Sequence, residues 1–236
     1  MLRKCFFLLC FLSISFRALA QPDAVKKNDS IKNFKLTALP VLFFLPETGL
    51  GYGALGVGTF RFKGELEKSR PSSVQFAISA TTKNQLLVFA PYELYWKDEK
   101  WRLVGEFGFY KYFYNFYGLG INSNETDFEI YEVTFPRLRT SLLNEVWPNI
   151  SIGLGYELDI YYDFKIEENG ILQATEIAGK NGGTVSNLGL LVFYDSRDDI
   201  FQPAEGYFVQ AAAFTSMNVL GSSFSYSKFS LDARFY

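Results

Sequence analysis

Three acidic residues that share one parity are the first candidates for chemistry in this sequence. Glu157, Asp159 and Asp163 fall on one parity of an alternating segment, so in a β-strand their side chains would project to the same face. Two carboxylates held close together could act as general acid and general base. The same spacing is typical of a polar strand face that meets water, and we favour that interpretation. We therefore predict that these residues form an acidic surface facing the water-filled lumen of a β-barrel, and we predict no catalytic residue.

The composition restricts the other kinds of site. The chain contains no histidine, which excludes Ser–His and Cys–His nucleophilic pairs and any His-ligated metal. Asp127 and Glu129 lie beside a long polar loop and could hold a cation, although a solvated loop is the plainer interpretation. There is no basic patch to suggest a nucleic-acid partner. The sequence predicts no metal, no cofactor and no enzyme.

A glycine motif between Gly51 and Gly56 matches the G-x-G-x-x-G pattern of dinucleotide sites. Such a site needs its glycines between a strand and a helix. Here they lie inside a segment of period two, so close packing in a sheet is the better interpretation.

A charged turn separates two strand-like segments between Thr184 and Thr215. Asp195 and Arg197 are two residues apart, so in extended geometry they project to the same face and can form an ion pair. Pro203 and Gly206 follow and would set the reversal of the chain. We expect these residues to have a structural role.

The first twenty residues form a targeting segment. Arg3 and Lys4 precede a twelve-residue apolar core, and Ala18-Leu19-Ala20 is a cleavage site. Both cysteines of the chain would leave with this segment, so no disulfide is expected. We predict a signal peptide at 1–20, a short periplasmic leader at 21–33 and a membrane domain at 34–236.

Alternation of apolar and polar residues predicts ten strands in the remaining chain. Phenylalanine and tyrosine dominate an aromatic content of 18%, which suits strands and membrane interfaces. The pattern at 150–163 persists for longer than in a typical globular strand and is long enough to cross a bilayer at a tilt. The predicted strands are 34–45, 50–62, 74–81, 86–96, 101–112, 128–138, 150–163, 184–194, 207–215 and 224–236. In the sixth strand, Tyr131, Val133 and Phe135 are expected to face outward.

Loop lengths predict an orientation. The two longest connections, 113–127 and 165–183, both follow odd-numbered strands, whereas a short turn such as 97–100 follows an even-numbered one. In bacterial barrels long loops face the exterior and short turns face the periplasm. The sequence therefore favours an all-β, transmembrane antiparallel β-barrel. A soluble β-sandwich is the alternative fold.

The segment Tyr194-Asp195-Ser196-Arg197-Asp198, followed by Pro203 and Gly206, resembles the Y-D-x-R-D…P-x-x-G turn of the BamA/TamA family, also called the bacterial surface antigen family. The stretches at 46–51 and 116–122 are also similar. The resemblance implies a sixteen-stranded barrel, of which about ten strands are present here. This sequence differs from the family in two respects. Neither the family's periplasmic POTRA domains nor its lumen-entering Arg-Gly-Phe/Tyr loop is found.

The resemblance implies a protein of the outer membrane of a Gram-negative bacterium, in contact with outer-membrane lipid. Its role would be to insert other barrels or to translocate polypeptides, so its partners would be unfolded outer-membrane proteins or envelope assembly factors. The alternative function is a porin-like or structural barrel that passes or binds small solutes.

Overall fold

Ten antiparallel strands form one sheet in the computed structural model, which describes residues 34–45, 48–66, 69–119, 128–174, 176–198 and 202–236. Each strand pairs with its neighbours in sequence, so the order is β1 to β10 without a crossover. The strands are β1 Phe34–Leu45, β2 Gly49–Phe60, β3 Ser72–Thr81, β4 Leu86–Trp96, β5 Trp101–Phe116, β6 Glu129–Trp147, β7 Ile150–Lys165, β8 Gly183–Asp195, β9 Tyr207–Ser216 and β10 Tyr226–Phe235.

The all-β antiparallel fold class is confirmed, and so is the number of strands. β1 and β4 begin and end at the predicted residues. The predicted signal peptide and leader, 1–33, lie outside the described residues. Within the described residues, no helix is long and apolar enough to cross a membrane.

The sheet has two chemically different faces. Its outer face, which includes Phe76, Leu154, Leu190 and Phe229, is apolar and exposed, and the Phe229 side chain is 80% exposed. The opposite, inner face carries the charged and hydrogen-bonded side chains of β4 to β10. This division follows from the strand geometry, because successive side chains point to opposite sides of a sheet.

The prediction for β6 was wrong in two respects. We expected the strand to end at Leu138 with Tyr131, Val133 and Phe135 outward, but it continues to Trp147. Val133 and Phe135 are each only 2% exposed and lie on the inner face. Alternation defines two sets of side chains but does not say which set faces inward when both contain large apolar residues.

Pro91 lies in the interior of β4, where it cannot donate a ladder hydrogen bond. The pairing of β4 with β5 passes through Pro91 without a register shift. The pairing with β3 is interrupted there, between Val74↔Tyr92 and Ala77↔Phe89, and resumes in the same register. The missing donor therefore interrupts one ladder locally and creates no bulge.

The buried apolar core is small and lies on the inner face. It consists of Leu143, Leu191, Ala212 and Phe214. Glycines make room for it, because a Cβ atom on Gly189 would meet the ring of Phe214. The β-strands can thus curve tightly around an aromatic ring where they carry no side chain.

All three tryptophans of the chain lie near one end of the sheet. Trp96 and Trp101 flank the β4–β5 turn and stack with their ring centroids 6.2 Å apart. Trp147 is the last residue of β6, lies at the same end of the sheet and is largely exposed. Indole rings are enriched where a membrane protein passes from lipid to water. This end of the sheet has the composition of a membrane interface.

Candidate functional site

The β8–β9 turn, residues 195–206, is built around an ion pair. The carboxylate of Asp195 accepts hydrogen bonds from Nε and Nη2 of Arg197, each at 2.8 Å. The guanidinium also lies over the ring of Phe208, 4.7 Å from its centroid. The hydrogen bonds from Arg197 to Asp195 raise the pKa of this guanidinium above its ordinary value. Such a bidentate, stacked arrangement is specific to arginine.

Asp198 and Gly206 form the second half of the turn. The Asp198 carboxylate accepts hydrogen bonds from the backbone N–H groups of Ala204 and Glu205, at 3.0 and 3.2 Å. Gly206 has φ +115°, and a Cβ atom there would collide with the carbonyl oxygen of Ser196. Residues 199–201 lie outside the described residues. Asp195, Arg197 and Asp198 thus each have a hydrogen-bond partner within the turn.

The side chains of this turn meet those of two neighbouring connections. A hollow of about 120 Å³ is bounded by Asp195 and Phe208 on one side and by Arg70, Tyr95 and Glu99 on the other. Arg70, in the β2–β3 connection, pairs with Glu99 of the β4–β5 turn at 3.0 Å. Tyr194 points to the outer face, and Pro203 is half-buried. The motif is therefore part of a larger polar cluster at the end of the sheet where the β2–β3, β4–β5 and β8–β9 connections lie.

The three acidic residues of β7 have different surroundings. Glu157 accepts hydrogen bonds from Lys228 on β10 at 2.8 Å and from Asn187 on β8 at 2.9 Å. Asp159 is buried on the inner face and is bound by arginines of β6. Asp163 is exposed and has φ 53°. Phe164, rather than Asp163, lines the same inner cavity as Tyr161, so the alternation has shifted by one residue. The structure brings Glu157 and Asp159 to one face and leaves Asp163 outside it.

Asp159 is bound by side chains of both β6 and β7. It accepts hydrogen bonds from Nε and Nη2 of Arg137 at 2.8 and 3.2 Å, from Arg139 at 3.2 Å and from the Tyr161 hydroxyl at 3.2 Å. The β6–β7 register places Arg137 opposite Asp159 and Arg139 opposite Glu157. Both oxygens of this carboxylate are therefore engaged by arginine, and the group cross-links β6 and β7.

The sequence interpretation missed both arginines, because it ended strand six at Leu138, before Arg139, and assigned the face that contains Arg137 to the outside. The signal was present: Arg137 and Arg139 have the same two-residue spacing as Glu157 and Asp159. Complementary charges with equal spacing on consecutive strands indicate a cross-strand ladder. Lys228 had no comparable local signal, because it reaches Glu157 across two intervening strands.

An aromatic cavity of about 890 Å³ lies on the inner face below the β7–β8 connection. Its wall includes Tyr114, Tyr131 and Phe164, whose rings follow one another at centroid distances of 5.7 and 6.2 Å. Arg137 lies at its edge and packs 5.1 Å from the ring of Phe135. Much of the aromatic content of this chain thus faces inward.

The other residues considered from the sequence form no common site. Gly51 and Gly53 lie inside β2, and a Cβ on either would meet the Phe43 ring or the backbone of Ile78. Asp127 lies outside the described residues. Among the described residues, no group of three or more acidic, histidine or cysteine side chains is arranged to hold a metal ion.

Comparison with known proteins gives one family. The model of the Omp85 superfamily domain matches residues 64–236. No curated protein matches the chain. The matched residues include β3 to β10 and the whole β8–β9 turn, and the all-β antiparallel sheet is the fold expected of such a domain. The chain therefore belongs to the Omp85 superfamily, whose members are outer-membrane β-barrel proteins that insert or translocate other proteins.

Proposed function

We propose that this chain is a barrel domain of the BamA/TamA type that acts in outer-membrane protein assembly or polypeptide translocation. The observation that carries the proposal is the β8–β9 turn. Its motif residues Asp195, Arg197 and Asp198 are all engaged within the turn, as expected if the motif maintains the architecture of this type of barrel. The role is non-enzymatic and needs no cofactor.

The outer face supports a location in the membrane. Leu154, Leu190 and Phe229 form part of a broad exposed apolar surface, which lipid would cover and water would not. We propose that residues 1–20 direct export and are removed, and that the protein lies in the outer membrane of a Gram-negative bacterium.

The free edge of β1 suggests how a client would bind. Within the described residues, β1 pairs on one side with β2 and on its other side with no strand. An unpaired edge offers a row of N–H and C=O groups that can template another strand. In a bilayer those groups must be satisfied. An unfolded outer-membrane protein could satisfy them by adding its own strand.

Reconstitution tests this role directly. The full chain is placed in liposomes, and a urea-unfolded outer-membrane protein is added from outside. We expect the client to acquire heat-modifiable gel migration faster than with empty liposomes or with liposomes that hold an unrelated barrel. An unchanged folding rate would contradict the assembly role. In cells, depletion of the chain should lower the levels of other outer-membrane proteins.

A porin-like barrel is the second candidate, and the polar inner face favours it. The ion pairs of Asp159 and Glu157 would line a solute path. Liposome swelling separates the two functions. Rapid uptake of small sugars, altered in the Asp159→Asn variant, together with no effect on client folding, would favour the porin-like role.

A further inference from the structure

A buried carboxylate without a hydrogen-bond partner lies at the start of β6. Glu129 is only 4% exposed, and neither of its side-chain oxygens has a partner among the described residues. It pairs with Phe116 in the β5–β6 ladder and points to the inner face. Burial of an ionised carboxylate is costly unless a partner compensates its charge.

The surroundings of Glu129 are rich in oxygen. A hollow of about 360 Å³ beside it is lined by Glu167, Glu168, Asn169 and Gly170 of the β7–β8 connection. Glu167 and Glu168 are exposed. Their charges would repel that of Glu129 and attract a cation. In the part of the chain that the structure describes, no basic side chain contributes to the lining of this hollow.

Gly170 packs directly against the Glu129 carboxylate, so that oxygen atoms from two elements lie beside it. A Cβ atom at this position would lie against the Glu129 carboxylate and 3.1 Å from the carbonyl oxygen of Glu167. Hydrogen bonds from Gly170 N to Glu167 O, at 3.1 Å, and from Ala174 N to Gly170 O, at 3.1 Å, hold the connection in this form. A side chain at this position would displace the Glu129 carboxylate, whereas glycine lets the carboxylate approach the connection.

We propose that the Glu129 carboxylate and the carbonyl oxygen of Glu167 bind a Ca²⁺ ion that ties the β7–β8 connection to β6, and that the exposed Glu167 and Glu168 side chains attract the ion without forming a cage around it. Calcium accepts carboxylate and carbonyl oxygens together with water in flexible geometry. The site differs from a cage of three or more acidic side chains, which the described residues do not contain. Because few protein charges contribute, we expect an affinity of about 10⁻⁴ to 10⁻³ M, the range of extracellular calcium modules.

Calcium titration of the full chain, refolded in detergent, tests the site. Isothermal calorimetry measures the affinity, and the midpoint of thermal unfolding is recorded with and without calcium. We expect one site, a higher midpoint with calcium and weaker binding of Mg²⁺, which demands closer to ideal octahedral geometry. Absence of calcium binding by the unaltered chain would overturn the proposal without reference to any variant.

Variants locate the site. Glu129→Gln removes the buried carboxylate, and Gly170→Ala keeps every oxygen ligand but displaces the Glu129 carboxylate from its position. We expect each to weaken calcium binding at least tenfold. Glu176→Gln removes an exposed charge from the same connection and should bind as the unaltered chain does.

Two further outcomes are decisive. Equal affinities in Glu129→Gln, Gly170→Ala and the unaltered chain would place any bound calcium elsewhere and contradict the proposal. If Glu129→Gln does not refold, the variant Glu167→Gln with Glu168→Gln alters exposed side chains only and should weaken binding severalfold. Unchanged affinity in this double variant and in Gly170→Ala would also contradict the site.

Discussion

The first and the later strands of this sheet are stabilised in different ways. β1, β2 and β3 together contain a single charged residue, Lys35, and many glycines. Their cohesion comes from the backbone ladder and from close contacts such as that of Gly51 with Phe43. β6, β7 and β8 instead carry a network of side-chain hydrogen bonds across their inner face. A wall with few side-chain cross-links can separate more easily than one with many.

This comparison agrees with the proposed function. A protein that admits a client strand needs one part of its wall to open while the rest keeps its shape. The β1 edge has the features of a wall that can open, and the ion-paired strands around Asp159 have the features of a wall that keeps its shape. The predictions below test whether the charged network provides that rigidity.

The largest effect is expected for Asp159→Asn. The change leaves Arg137 and Arg139 close together without their shared anion, and breaking the largely buried pair of Arg137 and Asp159 should cost about 3 kcal/mol. The measurement is the free energy of unfolding in urea, followed by tryptophan fluorescence of the refolded chain in detergent. Lys35→Gln in β1 is the control and should change the free energy of unfolding by less than about 0.5 kcal/mol. Equal effects of the two changes would remove the distinction between the regions.

A second, intermediate effect is expected for Gly206→Ala in the β8–β9 turn. The positive φ and the contact with the Ser196 carbonyl should together cost about 2 kcal/mol. Gly64→Ala separates these causes, because Gly64 has φ +93° and no atom lies within 4 Å of the position that its new methyl group would occupy. Urea unfolding should show a loss of about 1 kcal/mol for Gly64→Ala. If both variants lose the same amount, the collision with Ser196 contributes nothing.

The smallest effect is expected for Arg197→Lys. Lysine cannot form both hydrogen bonds to Asp195 or stack flat on Phe208, so we expect a loss of about 1 kcal/mol. Arg234→Lys is the matched control, since Arg234 pairs with Asp232 at the same two-residue spacing but in an exposed position. Its loss should be near zero. A larger loss for Arg234→Lys would show that the turn is not specially dependent on its ion pair.

Local patterns in the sequence determined the fold class and most of the strands. Apolar alternation and turn residues are properties of neighbouring positions, so β1 and β4 could be predicted to the residue and the β8–β9 turn could be recognised from its charges. The pairing of Asp195 with Arg197 was equally accessible, because two residues of one extended segment share a face whatever the rest of the chain does.

Only the tertiary structure decided which side chains meet across strands. Register brings Arg137 opposite Asp159, and sheet curvature brings Lys228 within 2.8 Å of Glu157 although β8 and β9 lie between their strands. The burial of Glu129 beside Gly170 likewise depends on how a distant connection folds over the start of β6. The spacing of residues along one strand determines only which of them project to the same face of the sheet. The contacts between strands also depend on strand pairing, sheet curvature and loop position, and these are set by the whole sheet.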